Sequence, residues 1–224
     1  MSAIRRSKEA LDSLRTIPLF AVVEDEALEA LADLLIERRI PKHQTIVEEG
    51  LAGDYMYVIR DGQVKVTKLS GDGREKILGL LGPGDFFGEM SLLDNSERSA
   101  SVKSLTETRI MALSRSDFLK ELRNNPDLAM AVIQELTRRV RQMDEQASSL
   151  SFQGVKERTR GLFERIAQED EMCGGQRLTP TLTHQQIADM IGTSRETVTR
   201  AIKQLKDDGW LDQAGKRYLI PDPE

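Results

Sequence analysis

The chain has 224 residues, 31% of them charged and 4% aromatic, with a formal net charge of -5 at neutral pH. That length holds two domains of ordinary size, each able to bury a core, and the acidic balance excludes a protein coated in basic residues, so any nucleic-acid contact has to come from a local patch. Cys173, the lone cysteine, excludes an internal disulfide and an iron–sulfur cluster, while His43 and His184 sit far apart in polar stretches and read as solvated side chains rather than haem or metal ligands.

Met1 to Arg6 lead into no apolar run of signal-peptide or membrane-span length, so a cytoplasmic protein with no membrane partner is expected. From Lys8 to Ile36 the apolar residues Leu11, Leu14, Leu19, Phe20, Leu28, Leu31, Leu34 and Leu35 recur at helical spacing, interrupted by Pro18, which predicts short helices flanking another structure. Between Arg39 and Ser114 the texture changes to short alternating runs, such as Tyr55 to Ile59 and Val64 to Thr67, separated by frequent glycines. Further strands are predicted over Arg74 to Leu81 and Thr108 to Ser114, with Asp61-Gly62 and Asp72-Gly73 as hairpin turns. This pattern predicts an all-β barrel or jelly roll.

Within that barrel lies Gly84-Asp85-Phe86-Phe87-Gly88-Glu89-Met90-Ser91, with Arg98-Ser99-Ala100 close behind. These are the residue types that a joined sugar and phosphate require. Glycines let backbone amides come close to an anion. Arg98 offers a planar fork of donors to phosphate oxygens, and Ser99 adds a hydroxyl. Ionised Glu89 only accepts, so it would repel phosphate but take hydrogen bonds from a ribose hydroxyl. Each residue also has a plainer reading, as a turn glycine or as half of a surface ion pair of small worth.

After Pro126, residues Ala129, Ile133, Leu136, Val140, Met143, Ala147 and Leu150 recur at steps of four and three, a heptad seam. Two arrangements bury such a stripe: parallel pairing with a second copy about a two-fold axis, or a helix lying on its own barrel. Val155 to Asp170 reads as a further amphipathic helix and Glu171 to Gln176 as a loop. Thr183 to Gln186 is a capping-box pattern opening a short helix through Met190, Ile191-Gly192 makes a turn, and Thr193 to Glu196 caps a second helix running to about Asp208. Trp210-Leu211 and Arg217 to Ile220 read as a small hairpin, which makes the unit a winged helix-turn-helix. Arg195 and Arg200 can each give two hydrogen bonds to the O6 and N7 edge of a guanine, and Glu196 can accept from a cytosine amino group. The plainer reading is that Glu196 completes the cap and pairs with Arg200. From Thr193 to Arg217 the chain carries Arg195, Arg200, Lys203, Lys206, Lys216 and Arg217 against Glu196, Asp207, Asp208 and Asp212, a basic patch in an acidic protein.

The segment Gly84 to Val102 closely resembles the phosphate-binding cassette of cyclic-nucleotide-binding domains, and Ser194 to Arg200 resembles the recognition helix of catabolite-activator regulators. Nearly the whole chain is similar to bacterial transcription regulators of the Crp/Fnr superfamily, within its cyclic-AMP receptor branch. The resemblance implies an α+β chain, with a cyclic-nucleotide-binding jelly roll and flanking helices over 1–124, a dimerisation helix over 125–152 and a winged helix-turn-helix over 153–224. It implies that Gly88 and Glu89 hold the ribose, that the amides around Met90 and Ser91 with Arg98 and Ser99 hold the cyclic phosphate, that Val66, Leu81 and Phe87 wall the base, and that Arg139 steadies the glutamate. It further implies phosphate contacts from Thr183, Gln185, Ser194, Thr197, Lys203 and Lys216, a TGTGA-like half-site, a homodimer on double-stranded DNA, and RNA polymerase as a partner. No catalytic residue, cofactor or metal is implied, only a nucleotide effector.

One departure concerns the base. Where cAMP-responsive members carry a Thr-Ser pair on the long helix, this chain has Met143 and Asp144. A carboxylate suits the adenine amino group and also the N1 and N2 donors of guanine, so cAMP and cGMP both stay open. The plainer arrangement has Met143 packing in the seam and Asp144 facing water. Two rival functions are a constitutive DNA-binding dimer, with a vestigial pocket or another effector such as a cyclic dinucleotide, and a nucleotide-regulated enzyme or channel module. Against the latter, the segment after residue 152 has no Gly-rich NTP loop, no Ser/His/Asp set and no metal-spaced cluster.

Overall fold

The run Met56 to Ile59 offers no charged side chain to water, and the structure buries both of its faces. The computed structural model describes residues 14, 15, 17–71, 73, 75–170 and 176–221. It divides into two compact units, Met1–Val140 and Arg141–Glu224. Leu11, Asp72, Arg74, Cys173 and the loop expected from Glu171 onward to residue 175 lie outside the described residues.

The first unit holds helix α1 (Asp25–Leu34) and strands β1 (Ile36–Ile40), β2 (Thr45–Val47), β3 (Tyr55–Asp61), β4 (Val64–Leu69), β5 (Glu75–Leu81) and β6 (Phe86–Phe87). Helix α2 (Met90–Asp94), strands β7 (Ser101–Ser104) and β8 (Thr108–Ser114), helix α3 (Arg115–Asn124) and the long helix α4 (Pro126–Phe152) follow. The strands form two four-stranded antiparallel sheets, ordered β1-β8-β3-β6 and β2-β7-β4-β5, the two layers of a jelly roll. One core lies between them, built on Val47, Tyr57, Ile59, Val64, Phe87, Val102, Ile110 and Ala112. The other lies on the opposite face of the first sheet, where Met56, Val58, Phe86, Met111 and Leu113 meet Phe20, Leu28, Leu31, Phe118, Leu128 and Val132. Successive strand residues point to opposite faces, so β3, β6 and β8 feed both cores alternately and read as unbroken apolar runs, not as the half-exposed alternation expected for β3.

Several local expectations are corrected. Ile36, placed in the N-terminal helical stretch by its spacing, opens edge strand β1 instead, because Leu35 is already extended at φ -79, ψ 130. Asp61-Gly62 is not a hairpin turn: β3 and β4 belong to different sheets, and Gly62, at φ 92, carries the chain around the corner between them. The β4–β5 connection is a hairpin, with Leu69 opposite Glu75. The seam on α4 also splits. Leu128 and Val132 are buried on the sheet side and Leu136 packs with them, whereas Met130, Ile133, Val140 and Met143 are more than half exposed. The helix therefore lies on its own barrel through one side, and the other side of the stripe is left open. Ala129 is half-buried, Ala147 is exposed, and the side chain of Leu150 lies outside the described residues. Helix α4 starts where it does because Pro126 has a φ suited to a first helical turn and no amide to leave unpaired, while Asn125 Oδ1 accepts from Leu128 N at 3.2 Å.

The second unit contains α5 (Val155–Ile166), β9 (Gln168–Asp170), β10 (Gln176–Leu178), α6 (His184–Ile191), α7 (Arg195–Asp207), β11 (Asp212–Ala214) and β12 (Arg217–Ile220). Its sheet runs β11-β12-β10-β9. Helix α5 stops at Ile166, four residues short of expectation, because Ala167 is extended and Gln168 to Asp170 pair with Leu178 to Gln176. The first strand of the wing is Asp212–Ala214 and not Trp210-Leu211. The amides of Trp210 and Leu211 instead bond Leu205 O at the end of α7, and Leu211 is buried with the helices. Pairing of Ala214 with Arg217 then leaves Gly215-Lys216 as a two-residue turn, Gly215 at φ 62.

Leu128→Ala should lower the unfolding free energy by about 2–5 kcal/mol in urea denaturation, since the side chain is 1% exposed in a closed core. Ile133→Ala, one turn along and 55% exposed, should change it by less than about 0.5 kcal/mol at protein concentrations too low for self-association.

Candidate nucleotide and DNA sites

Strand β6, at the edge of the first sheet but buried, and helix α2 carry the cassette into the first unit. Phe86 faces the helix-side core and Phe87 the inter-sheet core, where its ring stacks on Tyr57 with centroids 5.2 Å apart. Val66 and Leu81 pack against that same cluster, so the three residues expected to wall a base are brought together. Gly88 follows at φ 84, a left-handed conformation that favours glycine.

The chain then buries a carboxylate. Glu89 is 2% exposed, and Arg139 Nη1, reaching from α4, donates to its Oε1 at 3.1 Å. Arg139 is fixed on every side: Nη2 donates to Phe86 O at 2.6 Å, Nε donates to Glu135 Oε1 at 2.8 Å, and the guanidinium lies 4.7 Å from the Phe86 ring centroid. Desolvation raises the Glu89 pKa, and the Arg139 charge offsets this only in part. Burial likewise raises that of Asp85, whose Oδ2 accepts from Gly82 N at 2.8 Å. Glu135 is lowered, because its hydrogen bonds from Arg138 and Arg139 outweigh its own desolvation. The sequence reading did not single out Glu135; its i,i+4 spacing to Arg139 was the available signal.

Arg98 is 7% exposed and points inward. Nη1 donates to Gly88 O at 2.5 Å and to Ser91 Oγ at 2.8 Å, and Nη2 donates to Tyr55 O at 2.6 Å. Its pKa is lowered by burial, against the raising effect of Tyr57, Glu89 and Asp54. Two glycines make room for it. A Cβ at Gly53 would stand 2.3 Å from Arg98 Cζ, and one at Gly88 would stand 2.6 Å from Nη1. In the sequence Gly53 is one of the frequent glycines of this region, and nothing local shows that an arginine far along the chain will lie against it. Ser91 is buried beside Arg98; Ser99 and Met90 are exposed, with the Ser99 hydroxyl 3.8 Å from Met90 Sδ. Met143 and Asp144 are exposed residues of the second unit.

In that second unit both helices of the turn motif are capped by side chains. Thr183 accepts from Gln186 N while Gln186 Oε1 accepts from Thr183 N, a full capping box, and Ser194 Oγ accepts from Thr197 N at 3.2 Å. Gly192 ends α6 at φ 68. Helix α7 turns Val198, Ala201, Ile202 and Leu205 inward, which leaves Arg195, Glu196, Arg200 and Lys203 exposed on the opposite side. Arg200 Nη2 donates to Thr197 Oγ1 at 3.3 Å, and Thr197 Oγ1 lies 2.9 Å from Ser194 Oγ, so the cap braces the arginine. The Glu196 carboxyl is held below its usual pKa by its own backbone amide and the Ser194 hydroxyl, then by Arg195 and Arg200, and stays an ionised acceptor. Thr183, Gln185 and Lys216 are exposed as well, with Gln185 Nε2 donating to Asp189 Oδ1 at 2.7 Å. His184 is not the solvated side chain expected from its polar surroundings: its ring nitrogens lie 2.8 Å from Thr199 Oγ1 and 3.0 Å from Tyr218 Oη. Among the described residues, no group of three or more His, Cys, Asp and Glu is placed to hold a metal, and no helix is long and apolar enough to cross a membrane.

Comparison with known proteins assigns both halves. Residues 37–125 match the cyclic nucleotide-binding domain and residues 158–224 the Crp-like helix-turn-helix domain. A CRP-like cAMP-activated global transcriptional regulator of Mycobacterium tuberculosis is 34% identical over 208 residues, 92% of this chain and 93% of that protein. The crystal structure of the Thermus thermophilus catabolite activator protein is 32% identical, covers 91% of this chain and 93% of its own, and superposes with a TM-score of 0.55. The fold is also that of the c-di-GMP responsive regulator CLP of Xanthomonas campestris, at a TM-score of 0.75 and 24% identity, covering 89% of this chain and 100% of that one. A nucleotide-binding jelly roll followed by a DNA-binding helix-turn-helix, matched nearly end to end by such a relative, makes this chain a member of the Crp/Fnr family of transcription regulators, and not an enzyme.

Proposed function

We propose that a cyclic nucleotide bound in the jelly roll switches a homodimer of this chain to bind a palindrome of TGTGA-type half-sites, and that the bound dimer acts on RNA polymerase. The observation that carries this reading is the buried Glu89, held by Arg139 and set one residue after Gly88, with Arg98 alongside. A carboxylate kept at 2% exposure on one ion pair retains acceptor capacity that a ribose hydroxyl can use. Arg98 hydrogen-bonds carbonyls and a hydroxyl, all weaker acceptors for a guanidinium than an anionic phosphate, so the cyclic ester is expected to draw it onto itself together with Ser91, Ser99 and the amides near Met90. Val66, Leu81 and Phe87 then wall the base. The effector domain is assigned to 1–124, the pairing helix to 125–152 and the DNA-binding domain to 153–224.

The exposed stripe Ile133, Val140 and Met143 supports pairing with a second copy, since these residues leave an apolar seam beside the face that α4 already buries. A dimer also sets two recognition helices against two half-sites one turn apart. For the effector, cAMP ranks first because the Mycobacterium tuberculosis relative is described as cAMP-activated. The exposed Asp144 carboxylate favours cGMP as the second candidate, through the N1 and N2 donors of guanine.

Calorimetric titration of the full chain with cAMP, cGMP and cyclic di-GMP should give the tightest binding to cAMP, and Arg98→Ala should weaken that binding at least 10-fold, from the loss of charge-assisted hydrogen bonds worth about 1.5–3 kcal/mol. Unchanged affinity in this variant would remove the pocket assignment.

Glu89→Gln separates stability from function. Folding raises the Glu89 pKa, so as pH rises the unfolded chain gives up its proton first, and stability is lost from the unfolded value up through the folded one. The amide carries no such loss. The variant should therefore unfold at a higher denaturant concentration near neutral pH and bind cAMP more weakly.

On the DNA side, Arg195→Ala and Arg200→Ala should each reduce affinity for a TGTGA palindrome by about 1–3 kcal/mol and relax discrimination at one base pair. Lys203→Ala should weaken binding to all sequences alike and lessen the salt dependence by about one counterion, as measured by fluorescence anisotropy across a salt series.

A further inference from the structure

A guanidinium and a carboxylate that meet freely tend to join as a fork, two parallel N–H···O bonds that occupy both carboxylate oxygens. Arg139 and Glu89 meet differently. Arg139 Nη1 donates to Glu89 Oε1 at 3.1 Å, while Nη2 donates to Phe86 O at 2.6 Å and Nε to Glu135 Oε1 at 2.8 Å. The three nitrogens thus serve three separate acceptors, and turning the guanidinium into a fork on Glu89 would pull Nε away from Glu135. The Glu89 carboxylate also takes a bond from its own backbone amide. Two carboxylate oxygens can accept about four hydrogen bonds, so room for a ligand hydroxyl remains as long as Arg139 stays on one of them.

Glu135 is itself held firmly enough to act as the stop. Its fork is made with Arg138, whose Nε donates to Oε2 at 2.7 Å and whose Nη2 donates to Oε1 at 2.6 Å. Arg138 lies three residues along α4 and Arg139 four, so one turn of helix brings both arginines to the same carboxylate. The Glu135 and Arg139 side chains are 20% and 23% exposed, and the Phe86 ring, with its centroid 4.7 Å from the guanidinium, limits movement out of plane. All of these residues belong to the first unit.

We propose, resting on the reading of Glu89 as the ribose acceptor, that Glu135 is a positioning residue for the nucleotide: by holding Arg139 Nε it confines the ion pair to one Glu89 oxygen and keeps the carboxylate open to the ribose 2′-hydroxyl. Without Glu135 the guanidinium is free to turn onto both oxygens, the better arrangement for the pair and the poorer one for the ligand. Glu135 acts through Arg139 and not on the ligand, so its loss should be felt at one group of the nucleotide and not over the whole of it.

Calorimetric titration of the full chain and of Glu135→Ala with cAMP and with 2′-deoxy-cAMP tests this, with the corresponding guanine pair run alongside. In the unsubstituted chain the 2′-hydroxyl should improve affinity at least about 10-fold, as a hydrogen bond to a charged group does. In Glu135→Ala that ratio should fall below about 3-fold, because cAMP binds more weakly while 2′-deoxy-cAMP changes little, a coupling of ordinary size for side chains in one network. Glu135→Gln keeps an oxygen that can accept from Nε and should give a ratio between these two values; it also serves if the alanine variant does not fold. Equal weakening of both ligands would mean a purely structural role, and either that result or an unchanged ratio would overturn the proposal. An unsubstituted chain that binds cAMP and 2′-deoxy-cAMP equally would instead remove the ribose reading of Glu89, and the inference drawn from it, while failure to bind any of the four nucleotides would remove the site itself.

Discussion

The apolar runs of β3, β6 and β8 are buried on both faces, and the placement of the candidate nucleotide site depends on that constraint. Because Phe86 must fill one core and Phe87 the other, the chain leaves β6 already deep inside the domain. Glu89 comes two residues later and has nowhere to go but inward. The left-handed turn at Gly88 and the tight space against Arg98 follow from the same geometry, since any side chain at Gly88 would collide with the guanidinium.

Burial at this depth makes the site electrostatically unfavourable in a directed way. Glu89 and Asp85 are both pushed toward their protonated forms by desolvation, although Arg139 lies within hydrogen-bonding distance of Glu89. A buried ion pair regains only part of what its charges lose on leaving water. Arg139 is accordingly held by four separate contacts, from Glu89, Glu135, Phe86 O and the Phe86 ring, which keep its charge where the carboxylate needs it. Stability given up at a binding site in this manner is recovered when a ligand supplies the missing hydrogen bonds. Helix α4 carries both Arg139, which reaches Glu89, and the open apolar seam, so the buried carboxylate and that seam share one element.

The DNA-binding unit works with less material. Its described buried residues come from α5, α6, α7 and the sheet, and specific polar links join these elements. The capping box at Thr183, the Ser194 cap and the His184 bridge all sit at the N-terminal ends of α6 and α7, where helix amides lack internal partners. These same ends present Arg195, Glu196 and Arg200 outward, so the groups that complete the helices also fix where these exposed side chains start.

Much of this was legible in the residues alone. Caps, glycine turns and helical stripes involve partners within three or four positions, and β8, the capping box at Thr183 and the turn at Gly192 lie where their local patterns put them. The cassette and the recognition helix could be found because their chemistry is concentrated in a few consecutive residues. Misreadings arose wherever a distant partner decided the outcome. Gln168 to Asp170 is a strand because β10 pairs with it, Asp61-Gly62 is a corner because β4 belongs to the other sheet, and Leu136 faces inward because the β3–β8 face lies beneath it. The inward turn of Arg98, the role of Gly53, the clamp through Glu135 and the engaged state of His184 likewise came only from the tertiary structure. Backbone preference and capping act over one turn of chain, whereas desolvation and the choice of hydrogen-bond partner are set by which remote segments exclude water from a side chain.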